Sequence, residues 1–358
     1  MRAVAVFPQR REVRLVEHPE PRIETPSSVK LRMLEVGVCG TDRDLCDFRF
    51  GAAPPGCDYF VLGHESLGEV VEAGPEAAHF RPGDLAVGMV RLPCAVPGCA
   101  ACRAGRQDFC MTGRYRERGI QDYHGFMTDL VVEEARYLYA VPPELREIAV
   151  LVEPLTVAEK PLAELRAIER RLPWERATRR AVVLGAGPVG LLGAMALIEE
   201  GFQTWVYSRS RPPNVKAWIA EAIGAEYVSS AIVTPERLAE RVGGIDVVYE
   251  AAGVPLAAFD LWRHLGPNGV FIFTGVPGSD VQVDWTPLGL NLLMKNQLIL
   301  GTVNAGPDAF KAAIRHLGIF LRRWPGAVRS LISARWPLER FREPVAGAAG
   351  GIKHVIEI

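Results

Sequence analysis

Three features of the 358-residue sequence predict an α/β protein of two domains, a β-rich first part and a doubly wound parallel sheet in the second. Up to about residue 150 the chain is a series of short β-type runs punctuated by glycine and proline. From Arg180 the pattern changes to apolar strands alternating with helical segments, which implies parallel pairing through crossover helices. All seven cysteines fall between positions 39 and 110, so the first part has a local use for thiols that the rest of the chain lacks.

Each element follows in order. Residues 1–7 form an apolar run too short for a signal peptide and read as a strand ending at Pro8; cytoplasmic residence is the default expectation. Residues 29–36 and 66–73 read as further strands, and 162–171, apolar at helical spacing between charges, as a connecting helix. Six strands are expected at 181–184, 204–207, 227–228, 246–249, 270–273 and 298–302, enough for a full doubly wound sheet. A helix near 308–322 and a strand at 354–358 should return to the first domain. The expected division is therefore 1–176 with 305–358 as one domain and 177–304 as the other.

Residues 181–198 carry no charge, a length that touches the roughly 18-residue threshold for a membrane span. Gly185-Ala186-Gly187-Pro188-Val189-Gly190 in the middle would break a spanning helix, so the segment reads as strand, tight turn and packed helix. Forty-one basic and 42 acidic residues nearly cancel, which excludes a field drawing the chain to nucleic acid or an anionic membrane and leaves a small-molecule ligand.

The turn itself points to a dinucleotide. Gly185-x-Gly187-x-x-Gly190 follows an apolar strand and opens a helix at 189–199: the first glycine permits the turn, the second lets the backbone approach a pyrophosphate, and the third lets helix pack on strand. Pro188 and Val189 begin that helix. This is the Rossmann arrangement. The next strand runs into Ser208-Arg209-Ser210-Arg211, where an NAD-selective site would place a carboxylate on the ribose 2′-hydroxyl. A hydroxyl and two guanidinium groups suit a 2′-phosphate instead, so NADP, or use of both NADP and NAD, is expected.

Cys94, Cys99, Cys102 and Cys110 make a four-thiolate run of the kind that closes a tetrahedral structural zinc site, one that holds the lobe together and does no chemistry. A second constellation joins Cys39-Gly40-Thr41-Asp42 to Gly63-His64-Glu65-x-x-Gly68. One thiolate, one imidazole and a nearby carboxylate compose a catalytic zinc site, which keeps a coordination position open. Singly these residues are ordinary core or hydrogen-bonding groups; their combination carries the reading.

In this order the two ligand motifs, the four-cysteine lobe and the Rossmann glycines resemble the zinc-containing medium-chain dehydrogenases over nearly the whole chain. Within that superfamily the likeness is to the glucose (aldose) 1-dehydrogenases. It is carried by Gly105-Arg106-Gln107-Asp108-Phe109-Cys110, by Gly119-Ile120 with Gly125-Phe126-Met127, by Glu153-Pro154-Leu155 with Glu159-Lys160, and by Gly301-Thr302-Val303-Asn304. The resemblance implies a GroES-like first domain. It implies that Cys39 and His64 bind zinc with Glu65 or Glu153 as the exchanging carboxylate, and that Thr41 relays a proton. Glu117, Asn304 and Glu153 would contact sugar hydroxyls, Asn304 would also border the cofactor, and a homo-oligomer, dimer or tetramer, is implied.

The reaction implied is hydride transfer from an aldose, D-glucose or D-galactose, to NAD(P)+ across a crevice between the domains, giving the aldonolactone. A polyol, alcohol or threonine-type dehydrogenase of the same superfamily is the alternative, and a non-catalytic NADP-binding sensor the remote one. Two departures from the family pattern stand out: four residues separate the first two lobe cysteines where two are usual, and Met89-Val90 replaces a polar residue available for the sugar. Glu117 lies among Arg114, Arg116 and Arg118, so a surface ion pair competes with its substrate role.

Overall fold

In the computed structural model, which describes residues 1–174, 177–347 and 350–358, the chain divides into two compact units. The first comprises Met1–Thr156, Asn304–Leu321 and Ile332–Ile358; the second comprises Val157–Val303 and Arg322–Leu331. The sequence placed the division at 176/177, where residue 176 lies outside the described residues; the observed one falls at Thr156/Val157, inside a helix. That helix, Val152–Glu169, starts ten residues before the expected 162–171. Pro154 sits in its first turn, where a missing N–H costs nothing, and Pro161 is tolerated inside it.

The first unit is built on a seven-stranded sheet. Its path runs Leu138–Val141, Leu85–Gly88, Glu65–Ala73, Ser28–Val38, Lys353–Glu357 and Ile332–Pro337, and Leu130–Glu134 also pairs with Ser28–Val38. The C-terminal strand thus returns to the first unit, with His354 opposite Val38 and Glu357 opposite Glu35. Ser28–Val38 and Glu65–Ala73 place Gly37 opposite Glu65 in the antiparallel ladder. Leu31, Met33, Val36, Leu62, Phe126 and Ile356, all essentially inaccessible to solvent, fill the core behind them. Each such side chain contributes roughly 1.5–3 kcal/mol of transfer free energy.

The second unit is a six-stranded parallel sheet in the order Glu226–Ser229, Gln203–Ser208, Arg180–Leu184, Ile245–Glu250, Leu265–Phe273, Leu298–Gly301. Numbered along the chain this is 3-2-1-4-5-6, with the order reversing between the first and fourth strands, where a dinucleotide binds in such sheets. All six expected strands are present. Leu265–Phe273 lies next to the edge of the sheet, covered by Leu298–Gly301, which forms the outer strand. Helix Pro188–Glu199 is apolar on nearly every side because its neighbours bury it, with Gly190 through Leu197 inaccessible. No helix among the described residues is long and apolar enough to cross a membrane.

Candidate active site

Cys39 directly follows the Ser28–Val38 strand and caps helix Gly40–Cys46, where the carboxylate of Asp42 accepts the Cys39 N–H at 2.8 Å. Glu65 opens the neighbouring strand and His64 immediately precedes it. The Cys39 sulfur, a His64 ring nitrogen and a Glu65 carboxylate oxygen all lie within 4.8 Å of one another. The other oxygen of Asp42 stands 3.4 Å from His64 Nδ1, and both atoms are buried with no hydrogen-bond partner. A metal-bound imidazole uses one nitrogen and directs the other N–H at a carboxylate, so this arrangement leaves Nε2 for a cation. Burial disfavours the His64 imidazolium, but Asp42 and then Cys39 outweigh it and raise the pKa well above the usual range.

Glu65 is held by a residue the sequence reading missed. The Lys353 ammonium donates to both Glu65 oxygens, at 2.6 and 2.5 Å, and to the Val38 carbonyl at 3.1 Å, in a fully buried pair. Gly37 makes room for it: a Cβ there would sit 2.0 Å from Glu65 Oε2. Glu153 is not among the three clustered ligand atoms, yet its carboxyl shares their field. Burial pushes it up to about 7, with His64 pulling down and Glu65 pushing further up. Thr41 lies one residue into the helix, its hydroxyl 3.9 Å from the Cys39 sulfur.

Glu117, Asn304 and Arg91 form a second polar group. Glu117 Oε1 accepts from Arg91 Nε at 2.9 Å and from Asn304 Nδ2 at 2.7 Å. The surface ion pair with Arg114, Arg116 or Arg118 that rivalled the substrate role is not the pairing observed: strand pairing sets Glu117 opposite Arg91 in a buried pair, while Arg118 turns to Glu133. Tyr115 lies on the Arg91 guanidinium, 3.7 Å from ring centroid to carbon. Met89 and Val90, the departure from the polar family residue, are buried in the same stretch.

The four lobe cysteines offer sulfurs that all lie within 4.8 Å of one another, with Cys99 and Cys110 at 4.0 Å. Tetrahedral zinc–thiolate bonds set sulfurs roughly 3.8 Å apart, so the group fits zinc. The longer first gap is absorbed by a turn in which the Cys99 N–H donates to the Val96 carbonyl at 3.1 Å.

In the second unit Gly185 adopts φ of 108° and Gly187 caps helix Pro188–Glu199. A Cβ on Gly190 would lie 2.1 Å from the Gly185 carbonyl, whereas one on Gly187 would meet nothing within 4 Å, so open space lies beside the helix N-terminus there. Val189 occupies the first turn, and the Gly185 N–H donates to the Tyr207 carbonyl at 2.9 Å, joining this turn to the Ser208–Arg211 stretch where Arg209 and Arg211 are exposed. Glu250, buried at the end of the fourth strand and unmarked in the sequence reading, accepts the N–H groups of Ala252, Gly253 and Gly275 at 2.8, 2.7 and 3.1 Å. It thereby fixes the two loops beside the glycine turn. A charged residue ending an apolar strand was the available signal for it.

A family model described as the alcohol dehydrogenase GroES-like domain matches residues 25–143, and one described as the glucose dehydrogenase C-terminus matches residues 146–358. Glucose 1-dehydrogenases from Methanocella arvoryzae and Thermoproteus tenax are each 38% identical, covering 100% of this chain and 99% of theirs. The structure of Haloferax mediterranei glucose dehydrogenase in complex with NADP, Zn and gluconolactone superposes with a TM-score of 0.89 at 30% identity, covering 100% of this chain and 99% of that one. The GroES-like and Rossmann folds with two groups of zinc-ligating side chains define a zinc-dependent medium-chain dehydrogenase. Full-length likeness then narrows the class, and the chain belongs to the glucose dehydrogenase family.

Proposed function

We propose that this protein oxidises an aldose at its anomeric carbon, D-glucose first and D-galactose as the alternative, passing hydride to NADP or NAD and releasing the aldonolactone. The observation that carries the reading is the clustering of Cys39, His64 and Glu65 ligand atoms within 4.8 Å, in a chain that also holds the dinucleotide turn. Zinc bound by Cys39, His64 and a carboxylate of Glu65 or Glu153 supplies Lewis-acid polarisation of the substrate hydroxyl. NAD(P)+ supplies the nicotinamide C4 that takes up hydride.

The chain's own residues do the rest. Asp42, 3.4 Å from His64 Nδ1, would hold a metal-bound imidazole in one orientation, and Lys353 restrains Glu65, the carboxylate that with Glu153 could complete the ligand set. The Thr41 hydroxyl, beside the Cys39 sulfur, is placed to hand on the proton that the substrate hydroxyl loses. Glu117 and Asn304, already joined by a hydrogen bond, present a carboxylate and an amide to sugar hydroxyls, with Arg91 fixing the carboxylate. Arg209 and Arg211 receive the 2′-phosphate of NADP.

We further infer a homo-oligomer formed through the second unit. Support comes from the outer strand Leu298–Gly301, which offers an unpaired edge, and from exposed Ile299, Leu293 and Met294. The cysteine-based metal groups favour a reducing compartment, hence the cytoplasm.

The test is a panel of aldoses and polyols with NADP and NAD, followed as absorbance of the reduced cofactor, on the zinc-loaded protein and its Cys39→Ala variant. Turnover should be fastest with D-glucose or D-galactose, and the variant should lose at least about 10³-fold in kcat while still binding NADP. Faster oxidation of a polyol than of every aldose, or turnover that survives the substitution, contradicts the proposal.

A further inference from the structure

All four carbonyls of Ser208–Arg211, the last residue of the second Rossmann strand and the three after it, are engaged. The Ser208 carbonyl accepts the Ser230 N–H at 3.0 Å, the Arg209 carbonyl the Ser229 hydroxyl at 3.2 Å, and the Ser210 carbonyl the Tyr227 hydroxyl at 2.8 Å. The Arg211 carbonyl accepts from Asn214 Nδ2 at 3.0 Å, while the same side chain's oxygen caps helix Val215–Ala222. Three of these four donors belong to strand Glu226–Ser229 or the residue after it.

A carbonyl oxygen carries partial negative charge and repels a phosphate. Tying the stretch's carbonyls to strand Glu226–Ser229 and to Asn214 removes them from competition and leaves the exposed Arg209 and Arg211 side chains for an anion. Charge-assisted hydrogen bonds from arginine depend on geometry, so the backbone shape that carries the two guanidinium groups matters to a 2′-phosphate. A ribose 2′-hydroxyl makes no such demand.

We propose that Tyr227 and Ser229 are specificity-determining positioning residues. By holding the Ser210 and Arg209 carbonyls they fix the loop in the form that receives the 2′-phosphate, and so set the preference for NADP over NAD without touching either cofactor. The inference rests on the reading that Arg209 and Arg211 bind that phosphate.

The experiment measures KM and kcat for NADP and for NAD in the zinc-loaded enzyme with one saturating sugar. Calorimetric affinities for 2′,5′-ADP and 5′-AMP supply a readout independent of turnover. The variants are Tyr227→Phe, Ser229→Ala, their combination, and Arg209→Ala with Arg211→Ala. Each single hydroxyl deletion should raise the KM for NADP and the Kd for 2′,5′-ADP about three- to tenfold, the loss of one hydrogen bond. Values for NAD and 5′-AMP should stay within about twofold, and kcat at saturating NADP should hold. If the double arginine variant leaves the NADP/NAD ratio unchanged, the phosphate reading itself fails. If that variant collapses the ratio but the hydroxyl deletions leave it alone, or weaken both cofactors equally, the positioning claim is overturned.

Discussion

His124 shows how a single side chain is set by its neighbours. Its Nδ1 accepts the Val61 N–H at 3.1 Å, its ring meets that of His18 at 4.8 Å, and Arg118 donates to its carbonyl. Burial, then the charges of His18 and Arg118, push its pKa down to about 4. The folded form therefore resists a proton that the unfolded chain accepts near pH 6.5. The stability this contributes is present above that pH and is lost progressively as pH falls toward 4. Urea unfolding should reveal that slope, and His124→Asn, which keeps an acceptor for Val61 but cannot charge, should flatten it. An equally steep curve in the variant would remove His124 as the cause. Lys353 teaches a related lesson, because it meets Glu65 across 288 positions of chain and no local pattern announces it. Its removal would leave a buried carboxylate unpaired, a change that costs about 3–5 kcal/mol in comparable pairs.

At the scale of elements, the glycine turn separates packing from ligand contact. Gly190→Ala places a Cβ against the Gly185 carbonyl, so helix Pro188–Glu199 must lift from its strand; the expected outcome is a loss of about 1–3 kcal/mol in stability together with weak NADP binding. Gly187→Ala meets no protein atom and keeps φ of −79°, a value any residue adopts, so melting should be unchanged while NADP affinity falls. Melting curves and calorimetric titration of both variants check this. Equal NADP affinity in Gly187→Ala would show that no ligand approaches that residue. The six parallel strands were legible because buried parallel strands read as continuous apolar runs. The start of helix Val152–Glu169 was not, because its first half is buried on nearly every side and so lacks the one-faced apolar period that marks 162–171.

For the whole molecule, the proposed roles of the two cysteine-containing groups predict separable effects. Cys102→Ser in the lobe should reduce bound zinc from two ions per chain to one, as counted by elemental analysis, and lower Tm by at least about 5 °C, since a structural zinc contributes folding free energy. Cys39→Ala should also lose one ion with little change in Tm. Equal melting of both variants would show that the lobe's zinc is not structural.

Composition, the order of motifs and the alternation of apolar segments were enough to determine the two-domain α/β class, the dinucleotide turn and both cysteine-based groups, because each is written in residues close together or in a repeating period. Only the tertiary structure decided that Lys353 restrains Glu65, that Arg91 rather than a neighbouring arginine pairs with Glu117, and that Tyr227 and Ser229 grip the arginine loop. Those contacts arise from strand pairings and loop packing between residues distant along the chain, and sequence spacing holds no trace of which distant residues a sheet will bring together.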